Sequence, residues 1–537
     1  MIRKLLLCAL IFTTCSTSTF AAEPMAVYGS AWLEQAGEYP VVHLRGTERE
    51  MGIQLGFLAG DRFQQQVDNL RSIGEHDVKD LAKIPDWLFI GLRRFIGLIY
   101  YAHYPQDIKD QIKGIVIGAK MRPEHFKLHA MDIAFMNSLI DLTGFVNAIA
   151  EKLGIQPSVA RIMKWVGIPR INSNCDSMAV WGPRTQGGKT FQNRNTDIET
   201  GNGIEKLPLI LIEKKDGAVP IASASITGML GIFAGMNAYG VGVGQIWATS
   251  NAVKIWTPWQ HQIRETFLQA HSASEAATLF SQMGRVGYGS NFVFADAGAG
   301  GDGSASEGFT VEANSKNLAI FSANDQNELK AQVGGKVYGL PLPYSVMRGD
   351  VSMDQKIRAD QTSAAGPKGD PTTTGSYADR YKGLYDRIVA YEKAGVLMGV
   401  DETIAISRET AMKHSNLLNA VYANTDRNMW VAYSKMNDDG TTTQAFERDY
   451  VNVPFYQYLS TMELNGNQLT VKSYQPEKKR DLVVKLFRGK SLLDDSIHLT
   501  ADQELVSLNV NTKTQAGDLL ELRDRDTDQL VDRLEVR

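Results

Sequence analysis

The chain has 537 residues, of which 43% are hydrophobic and 22% are charged, and its formal net charge is −4. This length suits roughly two to four domains, and the composition is that of a globular protein with a large core. The small negative charge excludes the electrostatic footprint of a nucleic-acid-binding protein.

The first 22 residues have the order that is typical of a secretory signal peptide. Two cations, Arg3 and Lys4, come before the apolar run Leu5–Phe12, and small residues follow it. This run is far shorter than the roughly 20 residues that a bilayer-spanning helix needs. We therefore predict that residues 1–22 are removed on export, that the protein is periplasmic or secreted, and that it has no transmembrane segment. An uncleaved N-terminal anchor is the alternative.

Cysteine usage singles out one residue. The chain has three cysteines, and Cys8 and Cys15 lie in the predicted signal peptide, so Cys175 is the one thiol of the mature chain. Exported proteins usually join their cysteines in disulfides, and a single cysteine needs another explanation. It is either a small buried hydrophobe or a reactive group, and the count alone leaves both open.

Residues 23–174 are predicted to be mostly helical after a short extended start at Pro40–Leu44. Apolar residues recur at helical spacing at Ile108, Ile112 and Ile115, which indicates an amphipathic helix.

From Cys175 onwards the pattern favours strands. Glycine alternates with apolar residues over Ile226–Gly244, which indicates strands that pass close to another backbone. Ser272 and Glu275 have the spacing of a helix capping box. The predicted strands are Ser177–Trp181, Thr190–Asp197, Leu209–Ile212, Val219–Ile226, Asn291–Ala295, Phe309–Ala313, Leu318–Phe321, Leu417–Tyr422 and Met429–Ser434. The predicted helices are Gln260–Ala270, Ala273–Met283 and Ala378–Ala394.

Two further segments differ in composition from the rest. Residues 350–378 are polar and rich in Gly, Pro, Ser and Thr, which predicts a long surface loop. Residues 464–537 alternate apolar and polar positions with frequent turns, which predicts a small β-rich appendage. Grouped strands with helices between them favour a layered α/β sandwich over residues 175–460.

A thiol acts as a nucleophile only with a base or a suitable environment. Four histidines follow Cys175, and none stands in a recognisable local motif; they are His261, His271, His414 and His498. The alternative base is the α-amine of Cys175 itself, whose pKa is ordinarily about 7.7–8.0 and which exists only after cleavage of the bond to Asn174. No cluster has the spacing of metal ligands, so no metal and no cofactor is expected.

The segment around Cys175 resembles the opening of the N-terminal-nucleophile (Ntn) hydrolases. The closest resemblance is to the acyl-CoA:6-aminopenicillanic acid acyltransferase family, with bile-salt (choloylglycine) hydrolases and acid ceramidases as more distant relatives. It extends over about residues 40–435. The segments that carry it are Asn174-Cys175-Asp176-Ser177, Asn193-Arg194-Asn195-Thr196-Asp197, and residues 42–52, 235–241, 290–296 and 376–380.

This resemblance implies a fold and a set of roles. The expected fold is a four-layer αββα sandwich, an α/β (α+β) arrangement with 23–174 as a helical pro-segment, 175–460 as the Ntn core and 464–537 as the appendage. Cys175 is expected to attack, Asp197 to hold the α-amine or the leaving group, and Arg194 to support the charge of the thiol. The expected site residues are Cys175, Asp197, Asn324 and Arg380 for catalysis, with Arg194 and Asn251 at the substrate. Asn324 would hold the oxyanion, and Asn251 or Asn237 would be the second donor.

The leading hypothesis is therefore an exported, self-processing enzyme that cleaves a small-molecule linear amide through an acyl-thioester on Cys175, or transfers its acyl group. The apolar helices of 23–174 suggest an acyl chain in the substrate, or simply core packing. The two chains that cleavage produces are expected to stay associated. A non-catalytic binding protein with this fold and a His-dependent cysteine hydrolase without self-cleavage are the alternatives.

Overall fold

The structure is a computed structural model that describes residues 23–77, 85–152, 175–201, 203–283, 286–298, 305–361 and 379–537. The predicted signal peptide, residues 153–174 of the predicted pro-segment and most of the predicted loop at 350–378 lie outside the described residues.

Strands occur along the whole described chain. The strands up to the middle of the chain are β1 (Ala26–Tyr28), β2 (Ala31–Ala36), β3 (Tyr39–Gly46), β4 (Ser177–Val180), β5 (Phe191–Asp197), β6 (Pro208–Lys215), β7 (Ile221–Ile226), β8 (Ala234–Asn237), β9 (Gly242–Trp247), β10 (Ser290–Ala295), β11 (Gly308–Ala313) and β12 (Leu318–Ser322). The later strands are β13 (Gln332–Val333), β14 (Lys336–Val337), β15 (Ser345–Arg348), β16 (Asn416–Ala423), β17 (Asn428–Tyr433), β18 (Lys435–Met436), β19 (Thr442–Thr443), β20 (Val451–Val453), β21 (Ser460–Asn465), β22 (Gln468–Ser473), β23 (Arg480–Arg488), β24 (Ser491–Ala501), β25 (Leu505–Asn509), β26 (Leu519–Asp524) and β27 (Leu530–Glu535).

Helices precede, interrupt and follow these strands. They are α1 (Glu48–Asp77), α2 (Asp86–His103), α3 (Gln106–Met121), α4 (Ala130–Lys152), α5 (Trp259–Phe267), α6 (Ala273–Gln282), α7 (Gln355–Asp360), α8 (Asp379–Lys393) and α9 (Val400–Thr410). Within the described ranges, no helix combines the length and the apolar composition needed to span a bilayer.

Two sheets form the centre of the molecule. Sheet A has ten strands in the order β1-β2-β3-β6-β7-β8-β9-β10-β11-β12, and sheet B has six in the order β15-β4-β5-β16-β17-β20. Neighbouring strands are antiparallel except β3 and β6, which are parallel. The segment before Cys175 therefore contributes three strands to sheet A, whereas the sequence predicted only a short extended start.

The two sheets are in close contact at a glycine of β9. A Cβ atom built on Gly244 would lie 2.0 Å from the Oγ atom of Ser177 on β4. Next to this point, Ala179 of β4 packs in one buried cluster with Ile246 and Val293 of sheet A. The predicted close approach of the glycine-rich strands to another backbone is confirmed at Gly235, where an added Cβ would lie 2.3 Å from the Ala222 carbonyl oxygen.

Helices contact both sheets. Helix α1 contacts β3, and α6 contacts β10 and β11 of sheet A. Helix α9 contacts β5 and β16, and α8 contacts β15 of sheet B. The predicted amphipathic helix is confirmed as α3, because Ile108, Ile112 and Ile115 are buried. The predicted cap of α6 is confirmed too, since Ser272 accepts a hydrogen bond from the Glu275 nitrogen at 3.1 Å.

The C-terminal strands form a separate β unit with its own core. Strands β21, β22 and β25 make one sheet and β23, β24, β26 and β27 another, around buried residues such as Leu469 and Leu482. A buried ion cluster joins this unit to sheet A. Asp532 of β27 accepts hydrogen bonds from Arg45 of β3 and, at 3.2 Å, from Lys214 of β6.

We predict that Gly244→Ala lowers the free energy of unfolding by about 1–3 kcal/mol, because the added methyl group overpacks the contact with Ser177. The matched control is Gly91→Ala on α2, where an added Cβ meets no atom within 4 Å. That change should raise stability by about 0.5–1 kcal/mol through helix propensity. Urea unfolding of both variants checks this, and equal stability of the two would contradict the close sheet contact.

Candidate active site

Cys175 lies directly before β4, inside sheet B, and is 1% exposed. Strand β15 pairs with β4 in an antiparallel register that places Arg348 opposite Ser177. Continuing this register by two residues brings Asp350 opposite Cys175. The backbone nitrogen of Cys175 donates a hydrogen bond of 3.0 Å to Oδ1 of Asp350. The pairing of two strands thus fixes a carboxyl group at this nitrogen.

The side chain of Cys175 belongs to the face of β4 that packs against sheet A. Alternate residues of a strand share a face, and Cys175 lies in one buried cluster with Ala179 and Trp181 of its own sheet. Ile246 and Val293 of sheet A complete this contact. The thiol is therefore placed between the two sheets.

Asp176 lies on the opposite face, which the helices cover. Its carboxylate accepts hydrogen bonds from Asn193 at 3.2 Å and from Asn195 at 3.1 Å, both on β5. It also accepts one from the Thr410 hydroxyl of α9 at 3.2 Å and lies 3.1 Å from Nη2 of Arg380 on α8. This face of sheet B is thus polar although it is buried.

Arg380 joins this cluster to a second carboxylate. Its Nη2 atom pairs with Oδ2 of Asp197, and its Nε and Nη2 atoms donate to the Thr410 carbonyl at 3.0 and 2.7 Å. The other oxygen of Asp197 accepts from Asn416 Nδ2 at 2.8 Å and from the Met412 nitrogen at 3.1 Å. The sequence-predicted residues Arg380 and Asp197 are therefore brought together.

This cluster contains more buried carboxyl groups than cations. Burial raises the pKa of Asp197, while the Arg380 guanidinium acts in the opposite direction. Burial raises the pKa of Asp350 well above its ordinary value, again with Arg380 opposing. Asp176, Asp197 and Asp350 are all 0% exposed, and Arg380 is the cation that the three share.

Arg194 lies on the other face of β5, as its spacing of three residues from Asp197 predicts. It is 1% exposed, and its guanidinium donates to Gln245 Oε1 of β9 at 3.1 Å and to the carbonyl of Asn195. The structure thus separates Arg194 from the cluster of Asp197 and Arg380. Its predicted contact with the thiol stays a prediction.

The predicted oxyanion donors have different surroundings. Asn324 is exposed, in a turn after β12 with φ of 57°, and its neighbour Ala323 packs against the cluster that contains Cys175. Asn251 is exposed, and its backbone nitrogen donates to the Asp360 carbonyl at 2.7 Å. The roles of Asn324 and Asn251 stay predictions.

The alternative donor Asn237 is a buried turn residue. Its Nδ2 atom donates to the carbonyls of Phe267 and Ala270 at 3.1 and 2.7 Å, and its Oδ1 atom accepts from the nitrogens of Tyr239 and Val241. Both N–H groups of the Asn237 side chain are therefore engaged, and its oxygen stabilises the turn between β8 and β9.

None of the four histidines after Cys175 has the surroundings expected of a catalytic base. His261 on α5 is buried beside the Tyr104 ring, and burial lowers its pKa to about 3. His271 is exposed and its ring lies 4.4 Å from that of Tyr239. His414 and His498 are exposed as well. Among the described residues, no group of His, Cys, Asp and Glu could hold a metal ion.

The role predicted for Asp197, to hold the α-amine or the leaving group, stays a prediction. In the uncut chain the Cys175 nitrogen has Asp350 as its hydrogen-bond partner. Sequence reasoning missed Asp350 because the residue was placed at the start of a surface loop. The available signal was the apolar pair Val346-Met347 just before it, which forms β15. A short strand of four residues gives too little periodicity to be recognised.

No protein-family model matches the chain, and no curated protein matches it. Solved structures of amide-hydrolysing enzymes are similar to about half of it. An N-acylethanolamine-hydrolyzing acid amidase ortholog from Caenorhabditis elegans is 11% identical and covers 52% of this chain and 100% of that chain, with a TM-score of 0.32.

Two bacterial structures are similar to the same degree. A conjugated bile acid hydrolase variant from Clostridium perfringens is 10% identical over 52% of this chain and 96% of that chain, with a TM-score of 0.28. Penicillin V acylase from Agrobacterium tumefaciens is 12% identical over 48% and 83%, with a TM-score of 0.28. All three proteins are Ntn hydrolases, the superfamily that the sequence resembles. At this identity and TM-score, the function has to be argued from the site itself.

We predict that Arg380→Ala lowers the free energy of unfolding by about 3–5 kcal/mol, because it leaves buried carboxylates without their shared cation. The matched control is Arg387→Ala on the same helix, where the ion pair with Glu409 is about half exposed. That change should cost about 0–1 kcal/mol. Denaturant unfolding of both variants measures the difference, and an Arg380 variant as stable as the control would refute the shared-cation role.

We predict that protonation of His261 destabilises the fold at acid pH and that His261 is not the catalytic base. Its pKa in the folded chain is about 3, below the ordinary value of 6.5, so its contribution to stability is full above pH 6.5 and is lost as the pH falls towards 3. His261→Leu should remove roughly 1 kcal/mol of acid destabilisation per pH unit below 6.5, measured by unfolding at pH 7 and pH 5. His414→Leu is the exposed control. Loss of thiol-dependent activity in the His261 variant, at unchanged stability, would instead restore a histidine base.

Proposed function

We propose that the chain is an exported, self-processing amide hydrolase whose nucleophile is Cys175. The observation that carries the proposal is the position of this residue. The only thiol after the predicted signal peptide lies two residues before β4, is buried between two sheets, and has its backbone nitrogen hydrogen-bonded to the buried carboxyl group of Asp350.

Self-cleavage creates the catalytic amine. The Cys175 thiol attacks the carbonyl carbon of Asn174, the C–N bond breaks, and a thioester forms while the nitrogen becomes the α-amine of Cys175. Water then hydrolyses the thioester, which leaves a carboxylate on Asn174 and frees the thiol. The nitrogen that leaves is the atom that donates to Asp350.

Hydrolysis of a substrate amide uses the same chemistry, with the Cys175 sulfur as nucleophile and its α-amine as base. The α-amine, with an ordinary pKa of about 7.7–8.0, takes the proton of the thiol. The sulfur attacks the substrate carbonyl, the amine product leaves with that proton, and water resolves the acyl-thioester. Asn324 and Asn251 are the proposed oxyanion donors, and such a donor contributes on the order of 100–1000-fold in rate.

We also propose that the layers form the αββα sandwich of Ntn hydrolases. The helix contacts with both sheets support it. Cleavage at Cys175 should leave the two chains together, because β3 pairs with β6 along six residue pairs. Leu55 of α1 and Leu211 of β6 moreover share one buried cluster. The substrate is proposed to be a small linear amide, and water rather than an amine is proposed as the acceptor.

We predict that wild-type protein purified from the cell envelope runs as two bands on a denaturing gel and as one particle on a sizing column. N-terminal sequencing should give one chain that starts after about residue 22 and one that starts at Cys175. Cys175→Ala should remain a single inactive chain, since no thiol is left to attack. Cys175→Ser should be cut more slowly, because a hydroxyl is the weaker nucleophile.

Two other outcomes would point elsewhere. A wild-type chain that is uncut but hydrolyses amides would require a histidine base and would end the self-processing mechanism. A chain that is uncut and inert would favour the binding-protein alternative.

A further inference from the structure

We infer that Asp350 donates the proton that the Cys175 nitrogen needs when the peptide bond breaks, and then holds the resulting α-ammonium group. The inference rests on the proposed function, because the amine exists only after cleavage. It adds a residue to the site that no sequence motif identified, and it replaces Asp197 in the role of amine partner.

The first support is the number of donors and acceptors at this nitrogen. The peptide nitrogen of Cys175 has one N–H group, and it donates to Oδ1 of Asp350 at 3.0 Å. The other oxygen, Oδ2, is buried and has no hydrogen-bond partner among the described residues. After cleavage the nitrogen carries more N–H groups at the same place, and Oδ2 is the adjacent acceptor.

The second support is that the two other carboxylates are fully occupied. Asp197 accepts from Asn416 and the Met412 nitrogen on one oxygen and pairs with Arg380 on the other. The oxygens of Asp176 accept hydrogen bonds from two asparagine side chains of β5 and from a threonine hydroxyl of α9, and Oδ2 pairs with the Arg380 guanidinium. Within the part of the chain that the structure describes, Asp350 is the member of the three with an oxygen to spare.

The third support is the charge of the cluster. Asp176, Asp197 and Arg380 are the charged groups that face Asp350. Lys413, which acts on Asp197 and Asp176, is exposed and donates to backbone carbonyls. One guanidinium cannot neutralise three buried carboxylates. Burial raises the pKa of Asp350 well above its ordinary value, which favours the protonated form of this carboxyl group in the uncut chain.

The atoms of the cleavage step then balance. The thiol and the Asp350 carboxyl group each lose one proton, the Cys175 nitrogen gains both, and the bond from this nitrogen to the Asn174 carbon is replaced by a carbon–sulfur bond. The products are a thioester, an α-ammonium group and an Asp350 carboxylate. The α-ammonium group and the Asp350 carboxylate form an ion pair, and the net charge of the cluster stays unchanged. In turnover, Asp350 orients the basic amine as the third member of a nucleophile–base–acid triad does.

The test compares Asp350→Asn with Asp197→Asn, each in the full chain. Asparagine keeps the size of the side chain but has no acidic proton and no charge. Asp350→Asn should slow self-cleavage at least roughly tenfold, which a time course on denaturing gels measures, whereas Asp197→Asn should slow it less. Melting temperature is recorded for both, so that a loss of folding is recognised.

A second measurement reports the amine directly and needs no substrate. Because the mature chain has one cysteine, ¹³C labelling at the cysteine Cβ gives a single NMR signal, and prior alkylation with iodoacetamide removes the titration of the thiol. In the cut wild type, the amine should titrate above its ordinary range of about 7.7–8.0. In the fraction of Asp350→Asn that is cut, its pKa should be lower than in wild type by roughly one unit.

The outcomes separate this inference from the proposed function. If wild type is cut at Cys175 but Asp350→Asn is cut at the same rate with the same amine pKa, the inference is wrong while the nucleophile stands. If Asp197→Asn instead gives both effects, the amine belongs to Asp197. If Asp350→Asn fails to fold, Asp350→Glu decides, since a displaced carboxylate should slow cleavage and a wild-type rate would refute the role. Failure of wild type to cut at Cys175 ends both proposals.

Discussion

The structure depends on one electrostatic constraint, which is the burial of three carboxyl groups around a single guanidinium. Arg380 of α8 pairs with Asp197 of β5 and Asp176 beside β4, and the charge of Asp350 lies close by. A buried charge is tolerated only when it is paired or hydrogen-bonded. The partners of these buried groups come from the helices that cover sheet B, from polar side chains of β5 and from strand β15. The pairing of the charges therefore holds these elements together.

The same constraint links packing to chemistry at Cys175. Its side chain lies among apolar residues between the sheets, whereas its nitrogen and the next residue, Asp176, face the buried acids. The close approach of the sheets at Gly244 leaves the backbone of β4 little freedom to move. The thiol and the nitrogen of one residue are thus held in two different environments.

Much of the fold could be predicted from the sequence where the signal is local. The hairpin that begins at Ser177, the helix with Ile108 on its buried face and the cap at Ser272 all follow from spacing within a few residues. For residues 23–174, the sequence predicted only one short extended segment, whereas this part of the chain forms three strands of sheet A. Strands of three to eight residues have little periodicity. The pairing of β3 with β6, which joins them to the rest of sheet A, is also a long-range contact.

The sequence by itself determined which residue carries the thiol and that Ile108, Ile112 and Ile115 share the buried face of a helix, because cysteine counting and periodicity are local properties of the chain. It also placed Arg194 and Asp197 on opposite faces of one strand, since alternation is a local rule. Only the tertiary structure decided which carboxyl group meets the Cys175 nitrogen. Asp350 is 175 residues away in the chain, and the pairing of β15 with β4 that joins them is a long-range contact that composition and spacing do not encode.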